Sequence, residues 1–137
     1  MKQFCALLID DDKATNFYNK WMLSKHSGFG QIVVRNSGVE GLEYLKNNED
    51  DKNLIPDLIL LDLNMPGMNG WEFLNKFKEY KNRFLKEIKI FILSTSKDPN
   101  DISLAKKDCD IVGYLNKPLS LNVLDYILRK HFQRDCV

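Results

Sequence analysis

Five short runs of apolar residues punctuate the chain: FCALLI at 4–9, QIVVR at 31–35, DLILL at 57–61, IKIFIL at 88–93 and IVGYL at 111–115. Several are apolar on consecutive positions, the pattern of strands covered on both faces. Between them the period becomes helical. Ala14, Phe17, Tyr18, Trp21 and Met22 recur at i, i+3, i+4, i+7 and i+8, which predicts a helix with one buried stripe. Val39, Leu42 and Leu45 repeat the pattern behind a Ser37 cap, and Trp71, Phe73, Leu74 and Phe77 follow Gly70. A fourth helix can begin at Asp98 with Pro99 in its first turn. A fifth can begin at Ser120, carrying Leu121, Leu124, Ile127, Leu128 and Phe132.

Strand followed by helix, five times over, predicts right-handed crossovers and a mostly parallel sheet sandwiched between helices, an α/β architecture. Trp21 and Trp71 fall on apolar stripes and are expected in the core. The polar stretch KNNEDDKNLIP at 46–56 reads as a loop. With no repeat, no low-complexity tail and no second core, the expectation is one domain over 1–137.

Charge narrows the partners. Lys and Arg number 20 against 19 Asp and Glu, a net of +1, so no overall field gathers nucleic acid or an acidic membrane surface. The basic run KFKEYKNRFLKEIK at 76–89 is interrupted by acids, and its aromatics have helical spacing, which favours a solvated face over nucleic-acid binding. No apolar run approaches the roughly 20 residues a bilayer requires, and MKQFCALLID lacks a secretory pattern, so the cytoplasm is expected and no membrane partner. Cys5, Cys109 and Cys136 are too few and too widely spaced for a disulfide framework or a zinc site, and Cys5 is expected in the core. His26 and His131 lie near helix ends, where the helix dipole or solvation accounts for them without chemistry.

In an open parallel sheet, ligands bind beyond the carboxyl ends of the strands, where strand order reverses. Asp10, Asp11 and Asp12 follow the first run and Asp62 the third, in LLDLNMPGMNG. Ser94, Thr95 and Ser96 follow the fourth; Asn116, Lys117 and Pro118 follow the fifth. Each has an ordinary explanation when taken singly. Asp12 can cap a helix, Asp62 can form a turn ahead of Pro66, Gly67 and Gly70, and Thr95 and Lys117 are common surface residues. Their joint arrival at one edge is the informative observation. Three carboxylates about 5 Å apart repel by about 3 kcal/mol per pair at an effective dielectric near 20, so they call for a cation or for protonation. An all-oxygen site without His or Cys suits Mg²⁺ or Mn²⁺, and magnesium commonly shares its shell with phosphate oxygens. With a lysine and a hydroxyl at hand, these groups point to phosphoryl transfer.

LLIDDD, LLDLNMPGMNG, ILSTS and GYLNKP, in this order and at this spacing, resemble the receiver domain of bacterial two-component response regulators over essentially the whole chain. The resemblance implies a flavodoxin-like fold, a five-stranded parallel sheet of order 2-1-3-4-5 with five helices. It implies that Asp62 accepts a phosphoryl group from a sensor histidine kinase or a histidine phosphotransfer protein. Asp11, Asp62 and the backbone carbonyl of Asn64 would bind Mg²⁺, with Asp10 holding it through water. Lys117 and Thr95 would contact phosphoryl oxygens, and the Lys117–Pro118 bond would be cis. Tyr114 looks like the switch aromatic, turning into space vacated by Thr95 and altering the face that a downstream protein reads; strand core is the plainer reading of an aromatic there.

Departures are few. Asp12 makes a triplet where a pair suffices and is read as a helix cap; the 46–56 loop is longer than typical. Ser96 stands where many members carry alanine, and Lys97 lies two after Thr95, where side chains influence phosphate lifetime. Two other readings remain open at this point. A haloacid-dehalogenase-type phosphatase would place its nucleophile in a D-x-D after the first strand; a receiver-like adaptor would keep the fold without phosphorylation. Because no output domain follows the fifth helix, a stand-alone receiver or relay intermediate is expected.

Overall fold

The computed structural model describes residues 3–132; Cys136 lies outside them. Its strands are β1 (Phe4–Ile9), β2 (Phe29–Arg35), β3 (Leu58–Leu61), β4 (Lys89–Ser94) and β5 (Ile111–Asn116), all parallel in the order β2-β1-β3-β4-β5. The helices are α1 (Lys13–Ser24), α2 (Gly38–Asn47), α3 (Gly70–Tyr80), α4 (Pro99–Lys107) and α5 (Leu121–His131). The expected caps are in place. Asp12, Ser37, Asp98 and Ser120 each accept a backbone N–H of the first turn, and Asn69 with Glu72 forms a reciprocal capping box on α3.

Alternate residues of each strand enter separate cores. Leu7 and Ile9 of β1 face Leu42, Leu45, Phe73 and Phe77 of α2 and α3, whereas Ala6 and Leu8 face the side packed by Leu23, Leu124 and Ile127 of α1 and α5. Helices on both faces are why β1, β3 and β4 read as continuous apolar runs. The edge strands β2 and β5 are only partly covered. Cys5 is buried, and burial, with the charge of Asp57, pushes its thiol up to about 11, leaving it protonated and inert.

Several expectations need correction. The predicted stripe on α1 is only half buried: Tyr18 and Met22 pack against the core, but Phe17 is 77% exposed and Trp21 48%, while Asn16, Asn19 and Leu23 are the fully buried positions. The Asn16 amide donates to the Asp10 carbonyl at 2.7 Å and to Asn36 Oδ1 at 3.1 Å. These bonds turn a polar residue toward the sheet edge, and Phe17 and Trp21 are left outside. Trp71 is half-buried, packed against the α2–α3 core with its indole N–H meeting Asp101, so it lies at the margin of the core and Trp21 outside it. Val39 and Leu121 are likewise exposed at the ends of otherwise buried stripes. The 46–56 stretch is the expected loop from Asn48 onward, after α2 takes its first two residues, and it is anchored by the fully buried Ile55 and by the Tyr44 hydroxyl, which donates to the Leu54 carbonyl at 2.6 Å. His26 makes a specific bridge, with Nε2 2.6 Å from Asp125 on α5 and Nδ1 accepting the Gly28 N–H.

Candidate functional site

Register brings the site together. Ile9 pairs with Leu61 in adjacent parallel strands, so the next residues, Asp10 and Asp62, leave the sheet side by side. The ladder continues one step past each strand: Asp10 N–H donates to the Arg35 carbonyl and Asp62 N–H to the Ile9 carbonyl. Ser94 pairs with Asn116, and Lys117 N–H donates to the Ser94 carbonyl. That bond starts the β5–α5 turn over the same crevice. The Lys117–Pro118 peptide bond is cis.

Asp10 and Asp62 are buried, 4% and 7% exposed, whereas Asp11 is open to solvent. Carboxylate oxygens of Asp10, Asp11 and Asp62 all lie within 4.8 Å of one another. Lys117 Nζ sits 2.7 Å from Asp10 Oδ2 and 3.5 Å from Asp62 Oδ1. Burial and then the charge of Asp10 hold the Asp62 carboxyl above its ordinary range, against the opposing pull of Lys117 and a backbone hydrogen bond from Asn64. Burial alone would lower Lys117, yet its hydrogen bond to Asp10 and the charges of Asp10 and Asp62 raise it. The cup therefore carries three carboxylates, two of them shielded from water, against one ammonium.

Asp12 is the cap it was read to be. It accepts from Ala14 N–H at 3.0 Å and Thr15 Oγ1 at 2.8 Å, which hold its carboxyl below the usual range. The Asp12 N–H itself donates to Asp10 Oδ1 at 2.9 Å, fixing the buried carboxylate from the side opposite Lys117. With the Asp12 carboxylate engaged as the α1 cap, Asp10 to Asp12 offers no free D-x-D pair of the kind a dehalogenase-type phosphatase would need.

Asn64 is exposed directly after Asp62 and Leu63, and Gly70 is packed behind that loop. A Cβ at Gly70 would lie 2.8 Å from the Asp62 carbonyl oxygen and 2.8 Å from Leu63 Cα, so the close approach requires glycine. Thr95 is exposed at the end of β4, and its side chain makes no hydrogen bond within the described residues. Tyr114 is half-buried, packed against the core on the α2–α3 side, with its hydroxyl donating to the Ser96 carbonyl at 3.0 Å.

Two participants escape a reading of the sequence. Asn16, which supports Asp10 from α1, sits at a position whose neighbours carry the apolar signal. Asp57 lies at the opposite edge of the sheet, buried, accepting Cys5 N–H at 2.8 Å and Lys86 Nζ at 3.1 Å. An aspartate directly before an all-apolar strand was the available clue.

The sequence matches the family model of the response regulator receiver domain over residues 6–129. The chain belongs to this family. It is 30% identical over 119 residues to the response regulator Rcp1 of Synechocystis, covering 86% of this chain and 79% of Rcp1. It is 29% identical over 132 residues to the probable C4-dicarboxylate response regulator DctR of Bacillus subtilis, covering 96% of this chain. The receiver spans about half of DctR, 54% of its length. Among solved structures, a two-component response regulator from Cytophaga hutchinsonii superimposes with a TM-score of 0.85 at 32% identity, covering 95% of this chain and 97% of that one. The phosphorylated cyanobacterial phytochrome response regulator RcpA matches with a TM-score of 0.71 at 30% identity, covering 96% and 92%.

Membership implies phosphorylation-dependent signalling. The sheet order 2-1-3-4-5 and the five helices are as the resemblance implied. Some relatives, such as a protein-glutamate methylesterase of Rhodospirillum rubrum, are enzymes of which this chain matches 30% of the length. Within the described residues no helix is long and apolar enough to cross a membrane. Of the basic run at 76–89, Lys78, Lys81 and Lys86 are paired with Asp108, Asp110 and Asp57.

Proposed function

We propose that Asp62 is a phosphoacceptor, charged by a phosphohistidine of a sensor histidine kinase or a histidine phosphotransfer protein. An Asp62 carboxylate oxygen attacks phosphorus, the P–N bond to imidazole breaks, and the imidazole leaves with the bonding pair and takes up a proton. Asp62 is then an acyl phosphate. The single observation that carries this reading is the pairing of a buried, ionisation-resisting Asp62 with Lys117 at 3.5 Å, on the same cup as Asp10 and Asp11. Lys117 would neutralise a phosphoryl oxygen, and Thr95, directly after β4, would donate its hydroxyl to another.

The donor set fits a hard divalent cation. Three carboxylates on one lysine leave a negative excess, every donor is oxygen, and Asp62 is held above its ordinary range partly by Asp10. Asp11, Asp62 and the Asn64 carbonyl would hold Mg²⁺ or Mn²⁺, with Asp10 contacting it through water. Such an ion supplies charge neutralisation for the transferring phosphoryl group. Thr95 and Tyr114 would then couple the modification to the surface of α4, β5 and α5, where a downstream protein binds. On this reading residues 1–137 form one cytoplasmic receiver domain, acting as a switch or relay intermediate, with no turnover beyond its own phosphorylation and dephosphorylation.

The test is incubation with acetyl phosphate, with and without Mg²⁺, followed by intact mass. The parent chain gains one phosphoryl group only with the metal, and Asp62→Asn gains none. Equal gain by both proteins overturns the assignment, and no gain by the parent favours the adaptor.

A further inference from the structure

Ser96 is the hub of a side-chain network running from the end of β4 to α3. Its N–H donates to Ser94 Oγ at 3.0 Å and its carbonyl accepts the Tyr114 hydroxyl at 3.0 Å. Its own hydroxyl accepts Asp98 N–H at 3.2 Å and donates to Asp101 Oδ2 at 3.0 Å. The second Asp101 oxygen, Oδ1, accepts the Trp71 indole N–H at 3.4 Å. Trp71 directly follows Gly70, whose N–H is bonded to the Leu63 carbonyl at 2.9 Å, next to Asp62. One carboxylate on α4 thus ties the Thr95 segment to the segment that leaves Asp62.

Thr95 stands between two held residues. Ser94 is fully buried and Ser96 makes four hydrogen bonds, whereas the Thr95 side chain is exposed and makes none within the described residues. On the reading of Thr95 as the donor to a phosphoryl oxygen on Asp62, the segment that carries Thr95 moves toward Asp62, and Ser96, its neighbour, moves with it. The bond from Ser96 to the Asp101 carboxylate is charge-assisted and opposes that shift. A contact made in only one of two states biases their populations by its own free energy.

We propose that Asp101 is a positioning residue whose two oxygens clasp Ser96 and Trp71 and hold the Thr95 loop in the arrangement of this structure, so that releasing the clasp speeds phosphorylation. The inference rests on the reading of Asp62 as acceptor. Asp101→Ala and Ser96→Ala remove opposite ends of the same bond, and either one that folds decides the matter. Both are made in a Trp21→Phe background, so that Trp71 is the sole indole among the two tryptophans of the chain.

The experiment measures the initial rate of phosphoryl gain from acetyl phosphate with Mg²⁺, together with Trp71 emission before and after. Each alanine variant is expected to react about 10- to 100-fold faster, the population shift of one charge-assisted hydrogen bond. Ser96→Thr, which keeps the hydroxyl, stays at the parental rate. Trp71 emission of unphosphorylated Asp101→Ala matches that of the phosphorylated parent. Rates unchanged or lowered in the folded alanine variants, with Asp62→Asn still inert, overturn the clasp and leave the acceptor reading standing. A parent that takes up no phosphoryl group overturns both.

Discussion

The Lys117 ammonium lies 2.7 Å from Asp10 Oδ2, a contact across 107 residues of sequence, and Asp10 is almost wholly removed from water. The same ammonium is the only cation within 4 Å of Asp62 in the described residues. Lys117→Gln keeps much of the length and removes the charge. Phosphoryl uptake from acetyl phosphate should fall by roughly 100-fold or more, the scale of losing one preorganised electrostatic donor. Single-turnover kinetics followed by intact mass measure it.

Asp62→Asn should raise stability at neutral pH. The folded chain holds the Asp62 carboxyl above the 3.8 of the free side chain, so folded protein binds that proton more tightly than unfolded protein does. Ionising it, as pH rises through 3.8 and then through the raised folded value, therefore costs stability. Denaturant titrations should give Asp62→Asn the higher midpoint at pH 7. The gap should close as pH falls below 3.8, and added Mg²⁺ should stabilise the parent more than the variant.

Gly70→Ala tests the loop behind the acceptor. Its methyl group meets the Asp62 carbonyl oxygen and Leu63 Cα, both backbone atoms that cannot rotate away. A loss of about 1–3 kcal/mol is expected, as for other overpacked sites, with slower phosphorylation because Asp62 itself is displaced. Urea unfolding and the uptake assay report the two effects separately.

At the opposite sheet edge, Asp57→Ala should cost about 2–3 kcal/mol, since it leaves the buried Cys5 N–H and the Lys86 ammonium without their acceptor. Phosphorylation of the folded fraction should proceed at the parental rate, because Asp57 precedes β3 and Asp62 follows it. Thermal melts with and without Mg²⁺ give the first quantity, and the acetyl phosphate assay the second.

The architecture was legible because burial on two faces writes itself into consecutive apolar residues, as in β1 and β3, and because caps such as Asp12, Ser37 and Ser120 are local chemistry. The acidic cup was legible through a general rule of parallel sheets, which sends the residue after each strand to one edge. The orientation of α1 was not. Its apolar stripe packs Tyr18 and Met22 against the core but leaves Phe17 and Trp21 outside, because two amide bonds from Asn16, to the Asp10 carbonyl and to Asn36, turn the Asn16 side of the helix inward. Hydrophobic period reports which residues share a helix face; it does not report which face a distant hydrogen bond will select.

Segment type, strand order through family likeness, and the set of residues able to carry phosphoryl chemistry were all decided by the sequence itself, since each depends on neighbours a few positions away or on a motif. The partnerships were decided only in three dimensions. That Lys117 neutralises Asp10 more closely than Asp62, that Asp101 links Ser96 to Trp71, and that His26 bridges to Asp125 all follow from strand register and helix packing. Electrostatic and hydrogen-bond energies fall steeply over an ångström or two, a scale on which chain separation carries no information.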